Sequence, residues 1–388
     1  MRLPVGRARL IGVVIVIQAC GIMPMLLVGS LAVQIRDELD FSPAKLGLAT
    51  SAFLLGRAAG SVTMGRMVDR LGARKSIRIG VAGIVICVLG VASLAQNWGS
   101  LVAWMIFGGI SQALIIPAVS RYLLRVISPR HLGFAFGLKQ SGPPLASLFA
   151  GLALPVVGLT VGWRWAFVGT AVLAVVAVLA VPRPVRVSAL RGHTGVHPQR
   201  RRSLVWLSAG IGLNLAAVTS LSTFFVESAV TAGIPAGTAG VLLAVGSILA
   251  IGSRVVLGLW TDRLGREPLE GITRLLGLGT TGYLMLATGN GWLLTMGALL
   301  AFALCWGVNG LFFLSVARRN PLSPGAAIGV VVAGSSFGAM LGPPLFGLAV
   351  QPSGFALAWL IAAGWAVTGL LAVGHSQRVH AREEALAA

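Results

Sequence analysis

Three cations sit where their surroundings cannot solvate them. Arg57, Lys139 and Arg254 each fall inside a long apolar run, in a 388-residue chain that is 56% hydrophobic and only 10% charged. A cation placed in hydrocarbon costs about 2.5–3.5 kcal/mol on insertion scales and usually faces a cavity or a partner. The acids do not offer that partner. Asp37, Glu38, Asp40, Asp69, Glu227, Asp262, Glu267, Glu270, Glu383 and Glu384 lie in loops, at run ends or near the C-terminus, and all five histidines lie in loops or tails. The run interiors are therefore cationic without a counter-charge, and the chemistry they permit is capture of an anion from solution. Arg57 cannot lose its proton to escape the problem. Lys139, in GLKQSGPP, has other outlets: it can snorkel to a surface, bond backbone carbonyls near Pro143 and Pro144, or deprotonate.

Amides share the pattern. Gln18, Gln112, Gln140, Asn214 and Asn309 all fall within apolar runs, with Trp306 close to Asn309. A buried amide needs donors and acceptors, so each reads either as a bond between helices or as a contact to a ligand. Trp306 reads as packing or as a stacking surface. No intramembrane His, Asp or Glu is available for a metal cluster, a nucleophile–base pair or paired carboxylates, so no enzyme is expected. The Gly-rich stretches follow no strand and are not phosphate cradles, so no cofactor is expected either.

The elements that must position these residues are helices. Mean hydropathy is +0.90. Twelve apolar runs recur, at about 10–32, 45–66, 76–95, 100–121, 133–155, 164–182, 204–226, 238–260, 272–289, 292–315, 326–350 and 354–374. Most are long enough to cross a hydrocarbon layer about 30 Å thick, and lipid tolerates only helices or closed barrels. Runs of about 20 residues without strict alternation favour helices. The 52 glycines suit close helix packing. The net charge of +20 is explained by basic inner loops, which places both termini in the cytoplasm and disfavours nucleic-acid binding. The first run is too long for a signal peptide. Cys20, Cys87 and Cys305 lie in apolar runs and read as small hydrophobes rather than disulfide partners.

The chain divides in two. The stretch 182–203, PRPVRVSALRGHTGVHPQRRRS, is basic and carries no acid. It separates an N-terminal six-helix bundle, 1–182, from a C-terminal one, 204–374, with 183–203 as a cytoplasmic linker and 375–388 as a cytoplasmic tail. GRMVDRLG at 65–72 returns as GLWTDRLG at 258–265, and the same offset relates Gly47 to Gly240. Nearly the same offset relates Gly137 to Gly329, Gly142 to Gly334 and Phe167 to Trp359. A parallel six-helix repeat marks one large class of secondary transporters.

GRMVDRLGARK resembles the signature of the major facilitator superfamily, in the loop between its helices 2 and 3. Gly65, Asp69, Arg70, Gly72, Arg74 and Lys75 match its positions; Gly258, Asp262, Arg263, Gly265 and Arg266 repeat it. The resemblance covers essentially the whole chain. It implies an all-α membrane protein of twelve transmembrane helices in two pseudo-symmetric six-helix bundles, moving a small solute by alternating access as a functional monomer in the inner membrane. Under it, Asp69 and Asp262 with their neighbouring glycines and arginines form cytoplasmic latches, and Arg254 belongs to the inner gate. Helices 1, 4, 7 and 10, which carry Gln18, Gln112, Asn214 and Asn309, line the cavity. Helices 3, 6, 9 and 12 face lipid. Two positions depart from the pattern: Met105 stands where the family often has an arginine four residues before Gly109, and Leu138 replaces a glycine in the helix-5 motif. The cations are similar to those of the nitrate/nitrite, cyanate and oxalate/monocarboxylate branches, so a small organic or inorganic anion is the expected substrate. The alternative is efflux of hydrophobic compounds.

Overall fold

The computed structural model describes residues 5–126, 138–181, 201–264, 268–309, 312, 315, 316, 319 and 324–385. These are predominantly helical, with no strand among the described residues. In order they form α1 (Val5–Ser30), α2 (Ala32–Leu39), α3 (Pro43–Leu71), α4 (Ala73–Leu94), α5 (Trp98–Val126) and α6 (Gly142–Ala153). They continue with α7 (Trp163–Leu179), α8 (Arg201–Thr231), α9 (Ala236–Leu264), α10 (Pro268–Ala287), α11 (Gly291–Ala301) and α12 (Pro324–Ala385). Wider π turns extend α6 over Leu154–Gly158 and α11 over Phe302–Trp306.

Every expected run has a helix on it. Seven of the helical segments are long and apolar enough to cross a membrane, and three shorter ones, Gly142–Gly158, Trp163–Leu179 and Gly291–Trp306, are apolar. α3 is not among the seven. Large apolar side chains such as Leu55, Val176, Ile248 and Leu371 stand exposed on helix faces, an arrangement that suits lipid and not water.

Local chemistry sets the helix ends. Ser42 accepts from the Lys45 N–H and Pro43 follows it, where a missing N–H costs nothing. Asn290 Oδ1 accepts from the N–H groups of Trp292 and Leu293 at 3.0 and 3.3 Å. α3 stops at Gly72, whose φ of 79° suits glycine, and α4 begins at once. α12 contains a break at Gly354, with φ 70° and ψ −169°, so it is two helices meeting at a residue only glycine adopts readily. It then continues without interruption through the expected tail.

The chain forms two compact units, Met1–Leu190 with Pro235–Ala244, and Arg191–Ile234 with Val245–Ala388. The boundary expected at 183–203 lies almost wholly outside the described residues. In the first unit α3 and α5 run side by side at very short range: a Cβ on Gly109 would collide with the Phe53 carbonyl, and one on Gly56 with the Ile106 carbonyl. Small residues permit this approach in membrane bundles. The second unit has an aromatic core. Phe224 stacks on Phe346 at 4.9 Å, Phe346 meets Trp359 edge-on at 4.6 Å, and Trp359 Nε1 donates to Ser228 Oγ at 2.9 Å.

Candidate functional site

In the first unit the candidate residues fall at successive levels of α5. Gly109 lies near the middle of the span Trp98–Leu123. The missing Cβ of Gly109 would sit 2.8 Å from the Arg57 backbone nitrogen, so Arg57 enters at mid-span. It is partly buried, and among the described residues it has no hydrogen-bonded or ionic partner. Met105, one turn before Gly109, is fully buried and apolar.

Gln112 follows Gly109 by one turn, and its stem lies over Gly21 of α1, 3.5 Å from where a Cβ would stand. Gln18, one turn from Gly21, lies over Gly142 at the start of α6, where a Cβ would be 2.8 Å from its Cγ. Gln18 and Gln112 are 7% and 2% exposed, and the amide oxygen of each is buried without a donor.

Lys139 sits nearer the end of the membrane span than an unbroken helix 5 implies. Pro143 and Pro144 carry no N–H, so the helical bonds to the carbonyls of Lys139 and Gln140 cannot form. The chain instead makes a turn at Gln140 and Ser141, with Ser141 N donating to Leu138 O at 3.0 Å. Lys139, 6% exposed, donates from Nζ to Ser120 Oγ at 2.7 Å. Ser120 is three residues inside the end of its span at Leu123, or about 4.5 Å by helical rise. The Ser120 hydroxyl itself donates to Ile116 O at 2.8 Å, which leaves its lone pairs for the ammonium.

At the same end, Arg121 Nη1 donates to Asp69 Oδ1 at 2.5 Å and to Val68 O at 3.1 Å. The acid of the signature is thus held by the neighbouring helix α5. Arg70 is exposed and Arg74 half-buried; Gly65 has open space where a Cβ would project. The second copy, Gly258, Asp262, Arg263 and Gly265, lies outside the residues whose surroundings are described.

In the second unit the amide N–H groups find acceptors, although Asn214 Oδ1 is buried without a donor like the oxygens of Gln18 and Gln112. Asn214 Nδ2 donates to Cys305 O at 3.0 Å and approaches Asn309 Oδ1 at 3.4 Å, and Asn309 Nδ2 reaches the same carbonyl at 3.4 Å. The π turn at Phe302–Trp306 presents that carbonyl sideways. Arg254 Nη2 uses its neighbour, donating to Trp306 O at 2.9 Å. Asn214, Asn309, Trp306 and Arg254 thus form one linked patch in which the backbone is the common acceptor. Glu227 corrects the expectation that no acid lies within a span: α8 runs to Thr231 and encloses it, 6% exposed.

Sequence reading missed Ser120 and Arg121. Arg121 carried a signal, since it ends its run on the side where Asp69 ends another; Ser120 carried none. It also missed a fastening at the opposite end. Arg164 donates to Glu38 Oε1 at 2.6 Å and to the carbonyls of Ala92 and Ala95 at 2.9 and 3.0 Å, while Trp163 Nε1 donates to Glu38 Oε2 at 2.6 Å. Burial would raise the Glu38 carboxyl, but hydrogen bonds from Arg164 and Trp163, with the Arg164 charge, outweigh it and hold the carboxyl below the usual glutamate range.

The Major Facilitator Superfamily model matches residues 14–324, and the chain belongs to that family of membrane transporters. An uncharacterized MFS-type transporter of Mycobacterium tuberculosis is 25% identical over 81% of this chain and 73% of its own. The Tetracenomycin C resistance and export protein of Streptomyces glaucescens is 30% identical over 34% of this chain and 24% of its own. The Gentisate transporter of Corynebacterium glutamicum is 28% identical over 37% of this chain and 32% of its own. Among solved structures, a D-xylose-proton symporter superposes with a TM-score of 0.76 at 15% identity, covering 95% of this chain and 96% of its own. That likeness establishes the fold alone.

Proposed function

We propose that this transporter carries a small anion by alternating access. The observation that carries the reading is Arg57: a permanent cation whose backbone nitrogen lies level with the middle of the α5 span and which has no hydrogen-bonded or ionic partner among the described residues. A guanidinium in that position needs an anion, and a solute that binds there neutralises it for the passage. The relative named for gentisate, an aromatic acid anion, supports the same class. The reading includes two six-helix bundles joined by the basic linker 183–203, twelve spans, a plasma-membrane location, cytoplasmic termini and a working monomer. In that orientation Asp69, Arg121, Lys139 and Ser120 lie at the cytoplasmic end of the first bundle and take part in closing it. Arg254 and Trp306 take the corresponding place in the second.

Export of a hydrophobic compound is the second reading, favoured by the relative named for tetracenomycin C export. One experiment separates the two. The purified protein is melted against panels of small carboxylates and inorganic anions, neutral sugars and hydrophobic cations, since a ligand of the folded state raises Tm by mass action. An anion is expected to raise Tm in the wild type and to have no effect on Arg57→Gln. Stabilisation by hydrophobic compounds alone, or an unchanged anion response in Arg57→Gln, overturns the anion reading.

A further inference from the structure

The span α4 is buried on one side and exposed on the other. Ser76, Ile77, Val81, Ile84 and Val88 lie on the buried side. The exposed side begins with Lys75 and Arg78 and continues with Ile79, Ile86 and Leu89. These five share one face, because helical residues three and four apart line up. Two cations therefore stand at the end of a strip that is otherwise apolar as far as Leu89. From Arg78 to Leu89 the strip is about 16 Å long by helical rise, close to half of a hydrocarbon layer about 30 Å thick. The charge at this end is not answered within the protein. Arg66 and Arg70 stand exposed before Gly72, and Arg74, Lys75 and Arg78 follow it. The acid in this stretch, Asp69, is taken by Arg121. Among the described residues none of the five cations has an acid for a partner. The repeat shows that the patch is particular to the first unit. Its second copy keeps Gly258, Asp262, Arg263 and Gly265, yet sets Glu267, Pro268 and Gly271 where the first has Arg74, Lys75 and Arg78.

We propose that this face of α4 binds an anionic glycerophospholipid. Its phosphate is held by the Lys75 ammonium and the Arg78 guanidinium, and one acyl chain runs along Ile79, Ile86 and Leu89. Arg66 and Arg70 add to the positive potential that draws the headgroup. Basic clusters beside membrane-spanning helices select anionic headgroups in this way. Basic loops orient a membrane protein by their number, but these cations are also in line with an exposed apolar strip. A zwitterionic lipid covers the strip equally well and brings its own cation to the same place. A free phosphate answers the charge and leaves the strip uncovered. A lipid with a net negative headgroup answers both. The proposal is independent of the solute that the transporter carries.

The test is thermal melting of the purified full chain in a neutral detergent, titrated with phosphatidylglycerol, phosphatidylcholine or inorganic phosphate. A ligand of the folded state raises Tm by mass action. Phosphatidylglycerol is expected to raise the wild-type Tm at a mole fraction about tenfold or more below that which phosphatidylcholine requires, and added salt should narrow the difference. Lys75→Gln combined with Arg78→Gln, both at exposed positions, is expected to melt like the wild type without lipid and to respond to the two lipids alike. Arg274→Gln combined with Arg378→Gln removes the same charge from exposed positions of the second unit and is expected to keep the full preference. Should the first double variant fail to fold, Lys75→Gln and Arg78→Gln singly are each expected to lose part of the preference. Equal response of the wild type to both lipids overturns the proposal. So does a preference that survives the loss of Lys75 and Arg78. A preference that falls equally in the Arg274 and Arg378 variant overturns it as well, since it then follows net charge alone. A shift of the same size with inorganic phosphate does the same, because the apolar strip then takes no part.

Discussion

The Lys139 ammonium donates to Ser120 at 2.7 Å, and Ser120 is the chain neighbour of Arg121, which holds Asp69. Two roles that look separate in the sequence, ligand capture by a buried lysine and latching by the signature acid, therefore meet within one turn of α5. The pairing gives Lys139 a protein partner, whereas Arg57 has no hydrogen-bonded or ionic partner among the described residues.

Ser120→Ala removes the acceptor from Lys139. A hydrogen bond to a charged group contributes about 1.5–3 kcal/mol, so a clear fall in Tm is expected. In a Lys139→Met background the same substitution should cost much less, which a double-mutant cycle reads directly. Equal costs in both backgrounds would show that the pair does not couple.

Asp69→Asn should change stability little. The Asp69 side chain is 76% exposed and Arg121 32% exposed, and ion pairs of that kind contribute about 0–1 kcal/mol. Solute uptake in vesicles should fall nonetheless, and the exchange of the two residues, Asp69→Arg with Arg121→Asp, should recover part of it. Uptake that follows Tm alone would reduce the pair to an ordinary surface contact.

Glu38 gives a dependence on acid. Its carboxyl is held below the usual glutamate value of about 4.3. The stabilisation is therefore present above that value and is lost as the pH falls through the lowered one. Glu38 is 47% exposed, so the effect is small, under about 1 kcal/mol after solvent screening. Melting curves from pH 7 to 3 should show Glu38→Gln below the wild type at neutral pH, with the gap closing on acidification. A constant gap would mean that the charge of Glu38 contributes nothing.

Two glycines of α3 and α5 should behave in opposite ways. Gly109→Ala drives a methyl into the Phe53 carbonyl and should cost about 1–3 kcal/mol, as overpacking does. Gly65→Ala meets nothing within 4 Å and should be neutral or slightly stabilising, because alanine favours the helix by about 0.5–1 kcal/mol. If Gly65→Ala melts like the wild type yet transports poorly, the glycine serves another conformation than this one.

Much of the fold was legible in the sequence. Hydropathy located the long apolar helices but not the short polar α2, Ala32–Leu39, and the repeated GRMVDRLG and GLWTDRLG pointed to the family. The level of Lys139 was not legible, because counting residues from the edge of an apolar run assumes an unbroken helix, whereas the partner on α5 sets where the ammonium lies. Glu227 ends its apolar run because a carboxylate lowers hydropathy; the helix ignores it and continues to Thr231. The amides are the clearest case. Nothing in their types or spacing distinguishes Gln18 and Gln112 from Asn214 and Asn309. What differs is the amide N–H groups: Asn214 and Asn309 donate to the Cys305 carbonyl within the π turn at Phe302–Trp306, and helical periodicity does not reveal such a turn.

The unbroken course of α12 past residue 374 matters to anyone altering this protein. Beyond that point the helix carries His375, whose ring packs edge-on against Trp206 at 4.7 Å, and Ser376, which donates to the Ser203 carbonyl at 2.7 Å. Glu383 then accepts from the Ser203 hydroxyl at 2.7 Å. A reporter fused at 375, or a chain trimmed there because the hydropathy ends, would cut through the clasp that fastens the first turn of α8. Fluorescent tags, epitope tags and truncation series therefore belong after Ala385, where they leave that fastening whole.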